Sequence, residues 1–144
     1  MLVSQILKFK ADESVITALP SCSIADAAKV LSERRIGTLI ISRDGQVADG
    51  IVSERDIVRQ LGRAGAACLS ESVTSIMTSK LVTCTRDMRA DAVLTQMTEG
   101  RFRHMPVVQD GVLVGMITLG DVVKARLSEL AMEKDALEGM IRGH

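Results

Sequence analysis

Gly115-Met116-Ile117-Thr118-Leu119-Gly120-Asp121 reads as an apolar strand that ends in a hydroxyl residue and turns directly into a helix carrying an aspartate in its first turn. The same order stands at Gly50-Ile51-Val52-Ser53-Glu54-Arg55-Asp56. The glycines, the hydroxyl residues and the aspartates of the two copies are each 65 residues apart (115−50, 118−53, 121−56). An internal repeat constrains the whole architecture, because each copy must build the same unit.

The repeat extends upstream. Thr17 and Thr83, Leu31 and Met97, and Asp44 and Asp110 are 66 apart, so the first hairpin loop is one residue longer than the second. Val3, Ile6 and Leu7 return as Val73, Ile76 and Met77, 70 residues on. Each copy reads as a short lead-in helix, a strand (15–19, then 81–84), a helix, a hairpin with an Asp-Gly turn, and a second helix. Ser23 caps the first helix of copy one, and Asp87 is expected to cap its counterpart, with Gly100 at its end. Residues 8–14 are polar and read as irregular, and the first return strand is expected over 47–52. The boundaries that follow are 1–62 for the first copy, 63–72 for a Gly/Ala-rich linker, 73–130 for the second copy, and 131–144 for a helical extension.

Composition excludes several function classes. At 144 residues with 47% apolar content, the chain has material for a packed core. No apolar run is long enough to span a membrane. The first residues lack the basic start and cleavage site of a signal peptide. A net charge of zero argues against attraction to nucleic acid, and Phe9 and Phe102 alone offer no stacking platform. Cys22, Cys68 and Cys84 form no metal or redox motif and read as thiols of a reducing cytoplasm. With only His104 and His144 beside them, no metal site is expected.

In its paired segments the chain resembles a tandem pair of CBS domains, the module named after cystathionine β-synthase, in the Bateman arrangement. The carriers are 36–41 with 50–56, and 101–108 with 115–121. The resemblance covers about residues 2–130. It implies an α/β (α+β) fold of two β-α-β-β-α repeats packed sheet to sheet about a pseudo-two-fold axis, with two clefts. It also implies binding of adenosine derivatives: AMP, ADP, ATP, NAD or S-adenosylmethionine.

The two repeated helix starts are the candidate site. A helix N-terminus presents unpaired N–H groups and partial positive charge, and so favours anions. Ser53 or Thr118 then stands near phosphate, and Asp56 or Asp121 accepts from ribose hydroxyls, the roles that the resemblance assigns to these positions. The same residues also spell a capping box, which stabilises any helix. Arg103 and His104 are phosphate candidates by the resemblance, and strand alternation would put Arg101 and Arg103 on one face. Arg55 is a phosphate candidate in the first motif only. Its counterpart is Gly120, which leaves room and favours the second site. The resemblance places Thr17 and Thr83 near the adenine. Ile41, Val52, Val107 and Ile117 read as core.

The final helix is expected from Thr118 to about Arg142. Val123, Leu127, Leu130, Leu137 and Ile141 follow heptad-like spacing interrupted by Lys134, which predicts a homodimer or larger assembly. A tail folded on its own domain is the alternative. The function expected is an adenine-nucleotide sensor that regulates a partner protein or acts through its own dimer. A structural dimerisation module without a ligand is the alternative. An enzyme is disfavoured, since no nucleophile elbow, P-loop or carboxylate pair stands in the sequence.

Overall fold

The computed structural model describes residues 1–10 and 15–142. The elements are α1 (Val3–Phe9), β1 (Thr17–Ala18), α2 (Ile24–Arg34), β2 (Thr38–Ile41), β3 (Gly50–Ser53), α3 (Glu54–Ala64), α4 (Ala90–Gly100), β4 (His104–Gln109), β5 (Val112–Thr118) and α5 (Leu119–Ile141). The fold is mixed α+β with a long C-terminal helix, as the repeat predicts.

Two compact units form. One gathers Met1–Glu13, Thr83–Val108 and Gly115–His144; the other gathers Ser14–Val82 and Gln109–Val114. The lead-in segment of each copy therefore belongs with the strands of the other copy. The glycine that heads each motif shows the consequence. A Cβ on Gly115 would stand 2.9 Å from Leu7 Cδ2, and one on Gly50 would stand 2.5 Å from Met77 Sδ and 3.2 Å from the Thr78 carbonyl. Thr78 and Ile51 exchange two backbone hydrogen bonds of 2.9 Å, so this close approach is built into the sheet edge.

In the second unit β1 lies parallel to β2 and β2 antiparallel to β3, with Thr17 opposite Ile40 and Thr38 opposite Ser53. Ile24, Ala27 and Leu31 recur at helical spacing and pack with Leu39, Ile41, Val52, Ile57 and Val73. In the first unit Val3, Ile6, Val93, Met97, Val122 and, from the β4–β5 hairpin, Met105, Val107 and Ile117 are buried. Ile41, Val52, Val107 and Ile117 are core, as read from the sequence.

Where local structure departs from the sequence reading, the causes are visible. The strand expected at 81–84 is a single parallel bridge, Cys84 to Val107, the counterpart of Ala18 to Ile41. In the first copy Ile40 donates its N–H to the Ile16 carbonyl. Pro106 occupies the place of Ile40 and has no N–H to give, so that rung is missing. Asp87 does not cap α4. Arg89 is the N-cap, and Asp87 accepts from the Thr85 hydroxyl instead. Gly100 is the last helical residue rather than the terminator, and a Cβ there would strike the Phe102 ring. Arg101 takes the left-handed cap with φ 57°, as Arg35 does after α2 with φ 54°, so the alternation expected from Arg101 starts only at His104. The first return strand begins at Gly50, because Asp44 Oδ1 accepts from the N–H groups of Gln46 and Val47 and holds the preceding loop.

Residues 63–72 hold the end of α3 and a 3-10 turn, Ala66–Ser70, in which Cys68 is fully buried. Of the stretch 8–14 that reads as irregular, Lys8 and Phe9 close α1, and 11–14 lie outside the described residues, as does His144. Among the described residues, no helix is long and apolar enough to cross a membrane.

Candidate functional site

Each motif builds the same local device. A strand ends on a hydroxyl residue in extended conformation, and the helix starts at once. Thr118 is the N-cap of α5, and its Oγ1 accepts from the Asp121 N–H at 3.1 Å. Asp121 Oδ2 accepts in return from the Thr118 N–H at 2.9 Å. Ser53 and Asp56 repeat this at α3, at 3.2 Å and 2.8 Å, and the Ser53 hydroxyl also donates to Asp56 Oδ2 at 3.0 Å. The capping boxes read from the sequence are therefore formed at both helix starts.

A second bond anchors each start. The first helical N–H, of Leu119 or Glu54, donates to the carbonyl of Arg103 or Gly37 at 2.8 Å or 2.9 Å. The amide between the bonded ones, of Gly120 or Arg55, takes no part in these bonds. A Cβ on Gly120 would meet only Thr118 Oγ1, at 3.7 Å, so the approach to the α5 start is open on that side. Arg55 occupies the corresponding place at α3 and is exposed.

The two starts differ in their cations. Lys10 Nζ stands 2.9 Å from Asp121 Oδ2 and donates to the Met116 carbonyl at 2.8 Å. This residue comes from the first lead-in and was not among the sequence candidates. At α3 the cation is Arg59, 3.6 Å from Asp56 Oδ1 and largely exposed. An i,i+3 pair on one helix can be found by spacing; the Lys10 contact cannot. Burial pushes the Asp121 carboxyl up, but the Thr118 N–H, the Lys10 ammonium and the Thr118 hydroxyl together outweigh it and hold the group below its ordinary range. Asp121 Oδ1 takes no part in any of these bonds, so the carboxylate keeps an acceptor oxygen outside its cap.

The remaining candidates fall around this device. Arg103 reaches the α5 start through its carbonyl while its side chain is exposed. His104, half-buried, opens β4. Thr17 stands in β1 opposite Ile40. Thr83 is exposed, one residue ahead of the Cys84–Val107 bridge. Among the described residues no group of three or more His, Cys, Asp or Glu side chains is placed to hold a metal.

Two tandem units, each ending in a hydroxyl-capped helix start with an aspartate at its third position, define a paired α+β module. The chain belongs to the CBS-domain family: the CBS domain model matches residues 3–63 and 73–128. The mitochondrial CBS domain-containing protein CBSX3 of Arabidopsis thaliana is 33% identical over 98% of this chain and 72% of its own length. The crystal structure of the CBS-domain containing protein ATU1752 from Agrobacterium tumefaciens is 40% identical, with a TM-score of 0.83 over 88% of this chain and 99% of that one. A CBS domain protein from Pyrobaculum aerophilum, solved with AMP, is 25% identical with a TM-score of 0.77 over 92% of this chain and 99% of that one. The CBS domain pair of protein MJ0100, solved with 5′-methylthioadenosine and S-adenosyl-L-methionine, is 28% identical with a TM-score of 0.78 over 90% of this chain and 98% of that one.

Proposed function

We propose that this chain is a regulatory module that binds an adenine nucleotide (AMP, ADP, ATP or NAD) and reports energy or redox state to a partner protein or through its own homodimer. The observation that carries this reading is the start of α5. There Asp121 keeps Oδ1 outside its cap, Gly120 leaves the helix end open, and Lys10 adds a positive charge. In the proposal Asp121 accepts from the ribose hydroxyls, while the Gly120 amide, Thr118, Arg103 and His104 attend the phosphate. Asp56, Ser53 and Arg55 do the same at α3, with Arg55 crowding the approach that Gly120 leaves open. Thr17 and Thr83 mark the adenine side. The AMP and S-adenosylmethionine complexes of related proteins support an adenosine ligand. We assign the module a regulatory rather than catalytic role, without metal, and a cytoplasmic location in keeping with three free thiols.

A ligand-free dimerisation module is the second reading, favoured by capping boxes that close both helix starts without outside help. A thermal-shift panel of AMP, ADP, ATP, NAD, S-adenosylmethionine and adenosine separates the two. A nucleotide present at a hundred times its Kd should add about 2.7 kcal/mol of stability. Silence from every compound at millimolar concentration would leave only the structural module. Phosphate-bearing ligands should outbind adenosine and weaken with salt.

A further inference from the structure

Lys10 brings to the start of α5 a charge that the fold itself does not require. The residue is the C-cap of α1, and its N–H bonds the Leu7 carbonyl, so the backbone fixes where the side chain begins. Its ammonium donates to the Met116 carbonyl at 2.8 Å. The counterpart of Met116 in the first copy is Ile51 (116−65), and there the carbonyl accepts from the Thr78 N–H. That place needs a donor, and an uncharged backbone amide serves. The charge of Lys10 falls instead on Asp121 Oδ2, 2.9 Å away. The two side chains are only 22% and 24% exposed, so salt screens this charge less than one on the open surface.

The ion pair changes what this helix start can accept. Asp121 is the acidic residue of the first turn of α5, beside uncharged Leu119 and Gly120. Without Lys10 its carboxylate would draw a cation to the site. Paired with Lys10 it is neutralised, and the partial positive charge of the helix end is left to act. Asp121 Oδ1, outside the cap, still accepts from uncharged ribose hydroxyls. Adenosine compounds differ at the 5′ carbon: AMP carries a phosphate, S-adenosylmethionine a sulfonium cation, and 5′-methylthioadenosine a neutral thioether. We propose that Lys10 sets the ligand class at the α5 start, favouring a 5′ phosphate and rejecting a 5′ sulfonium. The inference rests on the nucleotide-binding reading above and adds the residue that tells one adenosine compound from another.

Calorimetry on the full chain with these three compounds tests it, in an Asp56→Asn background that weakens the α3 start. With Lys10 in place, AMP should bind at least about tenfold more tightly than S-adenosylmethionine. Lys10→Met should weaken AMP by no more than about threefold, strengthen S-adenosylmethionine by about threefold or more, and leave 5′-methylthioadenosine unchanged. The preference for AMP over S-adenosylmethionine then falls about tenfold. Lys10→Arg restores the charge and should restore the preference. A purely structural lysine moves all three compounds together, so a uniform change in Lys10→Met overturns the proposal. A preference for AMP that survives Lys10→Met also overturns it, while the nucleotide reading stands. Tighter binding of S-adenosylmethionine than of AMP with Lys10 in place does the same. A chain that binds none of the three, with or without the Asp56 substitution, overturns both readings.

Discussion

The Lys10 ammonium and the Asp121 carboxylate, 111 positions apart in the chain (121−10), stand 2.9 Å apart at the start of α5. The crossing of the lead-in helix α1 into the unit of α5 brings them together. Thus the second helix start holds a cation that no residue of its own copy supplies.

This pair should be visible in acid. Asp121 titrates below its ordinary value when folded, so its stabilisation is fully present above the unfolded carboxyl pKa of about 3.9 and is lost as pH falls through the lower folded value. Lys10→Met should therefore lie about 1 kcal/mol below the parent at pH 7, a gap that closes as pH falls below about 4. Urea melts at pH 7, 5, 4 and 3 measure it. A gap independent of pH would mean that Lys10 acts through packing of its stem instead.

Arg35 and Arg101 hold left-handed conformations after α2 and α4. A side chain costs about 1–2 kcal/mol there, and glycine returns roughly 0.5–1 kcal/mol of that through its freer unfolded chain. Arg35→Gly and Arg101→Gly should each stabilise the chain by about 0.5–1 kcal/mol, read as a rise in urea midpoint with unchanged slope. A loss in either variant would reveal a side-chain contact that outweighs the backbone strain.

Burial pushes the Cys84 thiol up to about 12, and Cys22 is raised by burial and by Asp26. Alkylation of the native chain at pH 8 should consume half-buried Cys22 first and slowly, with buried Cys68 and Cys84 reacting only on unfolding. Cys84 also favours unfolding in alkali. Its contribution is intact below the unfolded thiol value near 9 and fades as pH rises toward 12. Cys84→Ala should flatten that decline. Rapid native labelling of Cys84 would contradict its burial.

The features legible in sequence are those fixed by neighbours. Ser53 and Thr118, each three residues before an aspartate, announce their helix starts, and the heptad steps after Val123 announce an exposed seam. Legibility fails where a partner comes from afar or where backbone strain is tolerated. Pro106 shortens a strand only because the register sets it in the place of Ile40, which donates to Ile16. No local signal puts Lys10 beside Asp121, or reveals that the glycines at 50 and 115 make room for Met77 and Leu7. Nothing in Arg101 advertises a left-handed cap; α4 does end at Gly100, but that glycine makes room for the Phe102 ring and leaves the left-handed position to Arg101.

The aspartates themselves carry the sharpest test of ribose binding against capping. Both close capping boxes, but Asp121 also carries Lys10, whereas Asp56 pairs with the exposed Arg59 at 3.6 Å. Asn keeps one acceptor oxygen for the cap and loses the charge. Asp56→Asn should then lower apo stability by about 0.5 kcal/mol, and Asp121→Asn by about 1–2 kcal/mol because Lys10 loses its partner. If the carboxylates also hold ribose, each substitution removes a charged acceptor from the ligand. Affinity at the altered site should fall about tenfold to a hundredfold, beyond any effect on folding. Lys10→Met separates the two contributions: it reproduces most of the stability loss of Asp121→Asn yet leaves the carboxylate for ribose, so AMP binding should fall no more than about threefold. Calorimetry with AMP and NAD on the three variants, alongside their apo melts, supplies both quantities. If Asp121→Asn and Asp56→Asn bind both ligands as tightly as the parent while losing the stated stability, the aspartates are caps alone and the ribose assignment is wrong.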